Sequence, residues 1–157
     1  MSEIDRIQAS ESVYTQAGVV PFRYGTNGLE FCLITTRRSG RWAFPKGSIR
    51  EHESIEAAAL CEALEEAGVT GHLVGQPLGQ YEYSKRGENH SVLVMLMQVR
   101  ECTALWKEGT QRDRRWVTYE AALEMLDRPN LIELLRTAMN RLAGAAAPPI
   151  DETPLSA

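Results

Sequence analysis

Four glutamates carry the first chemical signal in this chain: Glu53, then Glu62, Glu65 and Glu66, within GSIREHESIEAAALCEALEEAGV, residues 47–69. The stretch from Ser54 to Ala67 reads as a helix, and Gly68 suits the position just past a helix end. At about 100° per residue, with Glu62 as zero, Glu65 falls near 300° and Glu66 near 40°, so three carboxylates share an arc of about 100°. Leu60, Ala63, Leu64 and Ala67 fall on the far side, which is the face expected to dock on a sheet. Glu53 lies just before the helix, where the loop can fold it toward the same cluster. Neighbouring carboxylates raise one another's pKa and repel at neutral pH unless a cation is bound. Hard oxygen ligands suit Mg²⁺, with Mn²⁺ as the alternative, and both ions also take waters and phosphate oxygens. No Cys/His spacing supports structural zinc. The competing reading is a solvated helix face, since Glu-rich helices are common.

The wider segment resembles the box of the Nudix family, G-x5-E-x7-R-E-U-x-E-E-x-G-U, where U is a bulky aliphatic residue. Gly47, Glu53, Glu62, Glu65, Glu66 and Gly68 fall in register, and Val69 fills the last aliphatic place. At about 7% usage per residue type, six such matches arise by chance about once in 10⁷ starts. Two positions depart from the pattern. Ala63 is smaller than the usual aliphatic residue, and Cys61 stands where the family has Arg. The resemblance covers roughly residues 13–142. It implies an α+β (mixed α/β) Nudix fold, with a mixed sheet between helices and the box forming a loop–helix–loop. It further implies metal held by Glu62, Glu65, Glu66 and the Gly47 carbonyl, with a box carboxylate or a loop residue taking a proton from water.

The approach TTRRSGRWAFPKG, with Arg37-Arg38, Arg41-Trp42 and Pro45-Lys46-Gly47, resembles the diphosphoinositol polyphosphate and diadenosine polyphosphate hydrolases. Ten of the 17 basic residues lie in three short stretches: Arg37, Arg38, Arg41, Lys46 and Arg50; Lys85 and Arg86; Arg112, Arg114 and Arg115. In an acidic chain this clustering suggests an anionic ligand, since Arg gives bidentate contacts to phosphate. Arg37, Arg38, Arg41, Lys46, Lys85, Arg86 and Arg115 are the candidate substrate contacts. Arg50 and Arg112 read as solvated charges. Tyr81 and His90 read more simply as strand packing than as pocket residues, and Trp42 as core.

The elements that must position these groups are legible in outline. Val13–Phe22 and Leu29–Thr36 read as antiparallel strands across the Asn27-Gly28 turn. Leu73–Ser84 and His90–Val99 read as two more around the polar turn 85–89, and Arg115–Thr118 as a last one. Val94 to Met97 is apolar on both faces, the mark of a buried strand. Tyr119–Leu126 and Leu131–Leu142 read as helices. Residues 12–143 form one domain, with a flexible start over 1–11 and a disordered tail over 144–157.

The length of 157 residues suits one domain with a real core. With 17 Lys and Arg against 21 Asp and Glu, the net charge of −4 gives no support to a coat for duplex nucleic acid. The longest apolar run, 92–97, is far short of the ~20 residues of a membrane span. The start MSEIDRIQASES lacks the basic and apolar regions of a signal peptide. Three scattered cysteines (Cys32, Cys61, Cys102) fit reduced thiols in the cytoplasm.

The resulting expectation is a hydrolase of phosphorus-containing acid anhydrides, dependent on Mg²⁺. Its substrate is a phosphate-rich small molecule of the inositol pyrophosphate or dinucleoside polyphosphate type. Two alternatives stay open. One is a nucleoside triphosphate or nucleotide-sugar pyrophosphatase. The other is a catalytically weakened binding or regulatory module, because Cys61 replaces the box Arg and loss of such a supporting group often costs 10–100-fold. Nothing in the sequence reads out oligomeric state.

Overall fold

The computed structural model describes residues 14–146. Seven strands form one mixed sheet: β1 (Gln16–Gly25), β2 (Gly28–Thr35), β3 (Trp42–Ala43), β4 (Lys46–Ser48), β5 (Val69–Lys85), β6 (Glu88–Cys102) and β7 (Arg114–Val117). The helices are α1 (Ile55–Glu62), continued by a π turn over Ala63–Ala67, then α2 (Tyr119–Met125) and α3 (Pro129–Ala146). The main path runs β3-β2-β1-β6-β5, with β4 added on β1 and β7 on β2. β1 lies parallel to β6, and the other pairs are antiparallel.

Period-two alternation in the central strands feeds two cores. Val20 and Phe22 of β1, Phe31 and Leu33 of β2, and Val92, Val94 and Leu96 of β6 pack with Leu131, Leu134 and Leu135 of α3. Ala17, Val19, Cys32, Ile34, Met95 and Met97 point the other way and pack with Ala58 and Ala59 of α1. A sheet covered on both faces needs strands that are apolar on both faces, which explains the unbroken run 92–97. The sheet lies between helices, as the sequence predicts.

Tight turns set the registers. Gly25 pairs Gly28 across Thr26-Asn27, and Gly28 takes φ 88°. Lys85 pairs Glu88 across Arg86-Gly87, both at positive φ (54° and 80°), the geometry of a two-residue turn that matches strand twist. β5 and β6 run longer than their apolar patterns suggest. A hairpin ladder continues through half-exposed polar residues, which carry no hydrophobic signal. α3 runs through Ala146, past the Gly144 where the sequence placed the start of a tail. The expected flexible start over 1–11 and the rest of the tail lie outside the described residues. No helix among the described residues is long and apolar enough to cross a membrane.

The one local departure falls at the box. Ser54 caps α1 by accepting from the Ala57 N–H at 3.0 Å. After Glu62 the helix widens into the π turn, and Gly68, at φ 68°, closes it with an N–H aimed at the Ala63 and Leu64 carbonyls. Ala63 and Ala67 are buried as expected, but Leu64 is 45% exposed rather than docked on the sheet. A regular helical wheel fails here because an i→i+5 turn changes the angular step.

Candidate active site

β4 pairs with β1 so that Ala17 faces Gly47 and Gly18 faces Lys46. The end of α1 and the π turn then lay two carboxylates against this backbone. A Cβ at Gly47 would collide with the Glu62 carboxylate, so Gly47 is the residue that lets it approach. Glu66 Oε1 accepts the Lys46 backbone N–H at 3.1 Å. Both carboxylates are buried, and each feels the charge of its neighbours. Glu65 turns aside instead. Its Oε2 accepts from the Cys61 thiol at 3.3 Å, and its Oε1 lies 3.6 Å from Lys107 Nζ. Glu53 is also apart: its Oε1 accepts the Arg50 N–H at 2.9 Å, closing its own loop.

The three-carboxylate arc expected from the helical wheel is therefore divided by the π turn. Among the described residues, no group of three or more His, Cys, Asp or Glu side chains converges on one point. A magnesium-type ion needs no such group, since it is held by one or two carboxylates together with waters and substrate phosphates. Glu62, Glu66 and the backbone carbonyl of Gly47 are hard oxygen donors of that kind, and the bare Gly47 leaves them room.

Arg112, read from sequence as a solvated charge, is the largest correction. Its side chain is 9% exposed; Nη2 lies 3.2 Å from Glu66 Oε2 and Nε 2.7 Å from Glu108 Oε1. Its Nη1 donates to the Thr35 carbonyl at 3.0 Å. Glu66 and Thr35 come from distant parts of the chain, and Glu108, four residues earlier, is the one local partner. Burial pushes the Glu66 carboxyl up to about 7, against the pull of Arg112 and the Lys46 N–H. Burial and the charge of Glu65 push Glu62 up as well.

A stability prediction follows from Glu66. The unfolded carboxyl releases its proton near 4.5, whereas the folded one keeps it until about 7. Between those values the folded state binds more protons, so rising pH favours unfolding. The metal-free protein is expected to lose stability over this window, by up to about 1.4 kcal/mol per pH unit from this group. Urea titrations in EDTA at pH 5 and pH 7 test this. In Glu66→Gln the fall should shrink, and an unchanged fall in that variant refutes the assignment.

Beside the carboxylates opens a cavity of about 950 Å³ lined by charged and aromatic groups. Of the candidate substrate contacts, Arg37, Arg38, Lys46, Lys85 and Arg86 border it. Arg41 does not; it forks onto Asp127, with Nη2–Oδ1 at 3.0 Å. Arg115 stacks over Trp42 at 5.6 Å, away from the cavity lining. Arg114 serves the scaffold, donating to the Ala67 and Thr103 carbonyls at 2.8 Å each.

Tyr81 and His90 line the cavity, rather than serving strand packing alone. Tyr83 and Gln16 join them: Lys46 Nζ donates to Tyr83 Oη at 2.9 Å, and that hydroxyl donates to Gln16 Oε1 at 2.8 Å. The i, i+2 spacing of Tyr81 and Tyr83 was the available signal, since it puts both on one sheet face. Arg128, just before α3, has none. It also lines the cavity, and its buried Nε and Nη2 have no hydrogen-bond partner among the described residues.

The comparisons agree with this fold. The NUDIX domain family matches residues 15–138. Nudix hydrolase 21, chloroplastic, of Arabidopsis thaliana is 35% identical over 130 residues, covering 79% of this chain. The chain spans 65% of that relative's length. Diphosphoinositol polyphosphate phosphohydrolase 3-alpha of Mus musculus is 30% identical over 118 residues, or 74% of this chain and 71% of that protein. Among solved structures, a C. elegans Ap4A hydrolase binary complex superposes with a TM-score of 0.71 at 27% identity, covering 83% of this chain and 98% of that one. The chain belongs to the Nudix family.

Proposed function

We propose that this protein is a divalent-metal-dependent pyrophosphohydrolase that cleaves a diphosphate linkage in a phosphate-rich small molecule, of the inositol pyrophosphate or dinucleoside polyphosphate type. The observation that carries the substrate class is Arg128. A guanidinium whose buried Nε and Nη2 lack partners is costly unless an anion meets it. It faces a cavity already lined by Lys46, Arg37, Arg38, Lys85 and Arg86. So many cations exceed what a single diphosphate requires. The names of the mouse relative and the C. elegans structure agree with this class.

In this reading Glu62, Glu66 and the Gly47 carbonyl hold Mg²⁺ or Mn²⁺. The ion supplies charge neutralisation at the diphosphate and makes water more acidic. Arg112 and the Lys46 N–H keep the Glu66 carboxylate in place. Glu62, which has no ion pair among the described residues, takes the proton from the attacking water. Lys46 Nζ, steered by Tyr83, meets the negative charge that develops on the phosphate oxygens. Glu65 and Glu53 support the box from the side. The three cysteines, all free, fit a reducing compartment, and the cytoplasm is the one we assign.

The test is Arg128→Met, assayed with Mg²⁺ on inositol pyrophosphate, diadenosine tetraphosphate, ADP-ribose and a nucleoside triphosphate. Hydrogen bonds to charged groups contribute about 1.5–3 kcal/mol, so KM for the phosphate-rich pair should rise roughly 10–150-fold. KM for ADP-ribose should move far less, and thermal stability should hold or rise, since an unpaired buried charge is removed. Equal effects on all four substrates, or turnover of the nucleoside triphosphate alone, reject the substrate class.

A further inference from the structure

The box helix carries Cys61 in contact with Glu65, and the cation on its other side comes from another element. Arg50, in the loop before α1, opens a tight turn in which the Glu53 N–H donates to the Arg50 carbonyl at 3.0 Å. His52 sits at the third position with φ 67°, a conformation a β-turn demands and a non-glycine residue adopts only under strain. The turn folds Glu53 back so that Arg50 Nη1 lies 3.8 Å from Glu53 Oε2. The same Nη1 donates to Cys61 Sγ at 3.8 Å, and that thiol donates to Glu65 Oε2 at 3.3 Å. One guanidinium is thus joined to Glu53 directly and to Glu65 through the thiol.

The other cations near the box are already engaged. Arg112 pairs with Glu66 and Glu108, and Lys107 reaches the far oxygen of Glu65. Around Glu62 itself, the charge of Arg50 favours the ionised form while those of Glu65 and Glu108 oppose it. Arg50 does not border the cavity, so it has no direct route to a substrate held there.

We infer that Arg50 is a positioning residue for the carboxylate pair: it anchors Glu53 and, through Cys61, Glu65, and so holds the start of the π turn where Glu62 and Glu66 meet Gly47. This rests on the reading that Glu62 and Glu66 hold a divalent cation. The uncharged Cys61 serves as the seat on which the loop guanidinium rests. An arginine at that position would stand one helical turn before Glu65 and bring the charge from the helix itself.

The experiment is a Mn²⁺ titration of the full chain, with free ion read by electron paramagnetic resonance. It uses the wild type, Arg50→Ala, Arg50→Lys, Cys61→Arg and the double variant. Arg50→Ala should weaken Mn²⁺ binding by about tenfold or more, the usual cost of losing a group that orients ligands. Arg50→Lys should recover most of it. In the Cys61→Arg background, Arg50→Ala should cost less than about twofold, because coupled residues are not additive. Thermal stability of the metal-free protein should stay at the wild-type value, since Arg50 is exposed.

No loss in Arg50→Ala overturns the inference, as does the same loss in both backgrounds. A fall in melting temperature that accounts for the lost binding also overturns it. If the titrations follow this pattern but no phosphate-rich substrate turns over, the substrate reading fails and the role of Arg50 stands. A wild type that binds no Mn²⁺ removes both.

Discussion

Replacing Glu62 with Gln should cut turnover by about 10²–10⁴-fold, the range for losing a positioned proton acceptor, while the metal-free protein becomes more stable. The two effects have one cause. Glu62 is 7% exposed, its carboxyl is pushed up by burial and by Glu65, and it forms no ion pair among the described residues. Gln keeps the shape that fits over Gly47 and removes a charge that the empty fold does not offset. A gain in melting temperature together with a loss of activity is the mark of a group retained for chemistry at the expense of stability. Matched thermal melts in EDTA and rates in Mg²⁺ read both effects. Unchanged turnover would move the chemistry away from this carboxylate.

The largest loss of stability is expected at Arg112→Met. Met fills the space but removes the guanidinium from the buried Glu66 carboxylate, the half-buried Glu108 and the Thr35 carbonyl, leaving Glu66 only the Lys46 N–H. Breaking a buried pair from one side costs about 3–5 kcal/mol. At roughly 2–4 °C per kcal/mol for a chain of this size, the melting temperature should fall by about 6–20 °C. The pH dependence has a definite sign. Arg112 holds the Glu66 carboxyl down, so without it Glu66 titrates above its present value of about 7. At pH 5 Glu66 is protonated in either form and its pairing is worth less. The loss should therefore be larger at pH 8 than at pH 5. Urea unfolding at the two values decides this, and a loss independent of pH would show that Glu66 is not the partner that matters.

What the sequence carried, and what it lacked, divide along a physical line. Glu62, Glu66, Gly47 and Gly68 were legible because a short fixed spacing on one helix and its flanking loops brings them together. The two-faced apolar run at 92–97 revealed a buried strand for the same local reason. A regular helix puts Glu65 with the pair, whereas the π turn carries it onto Cys61 and Lys107. The placements of Arg112 and Arg41 are not legible because they depend on distant partners: Arg112 meets Thr35 across 77 positions and Arg41 meets Asp127 across 86. Arg128 was missed because one basic residue before Pro129 resembles any surface charge. Its meaning comes from burial beside Tyr81, which only the packed α3 provides. Patterning reports which face a residue takes, and ion pairing depends on the sequence-remote packing that closes the site.

The most direct measurement is phosphate release from inositol pyrophosphate and diadenosine tetraphosphate by the wild type and Glu62→Gln, in Mg²⁺ and then with EDTA added. The account predicts turnover by the wild type that stops with EDTA and returns with excess Mg²⁺, and almost none by the variant at any metal concentration. Turnover that survives EDTA, or a variant as fast as the wild type, would contradict a metal-dependent site built on Glu62, Glu66 and Gly47.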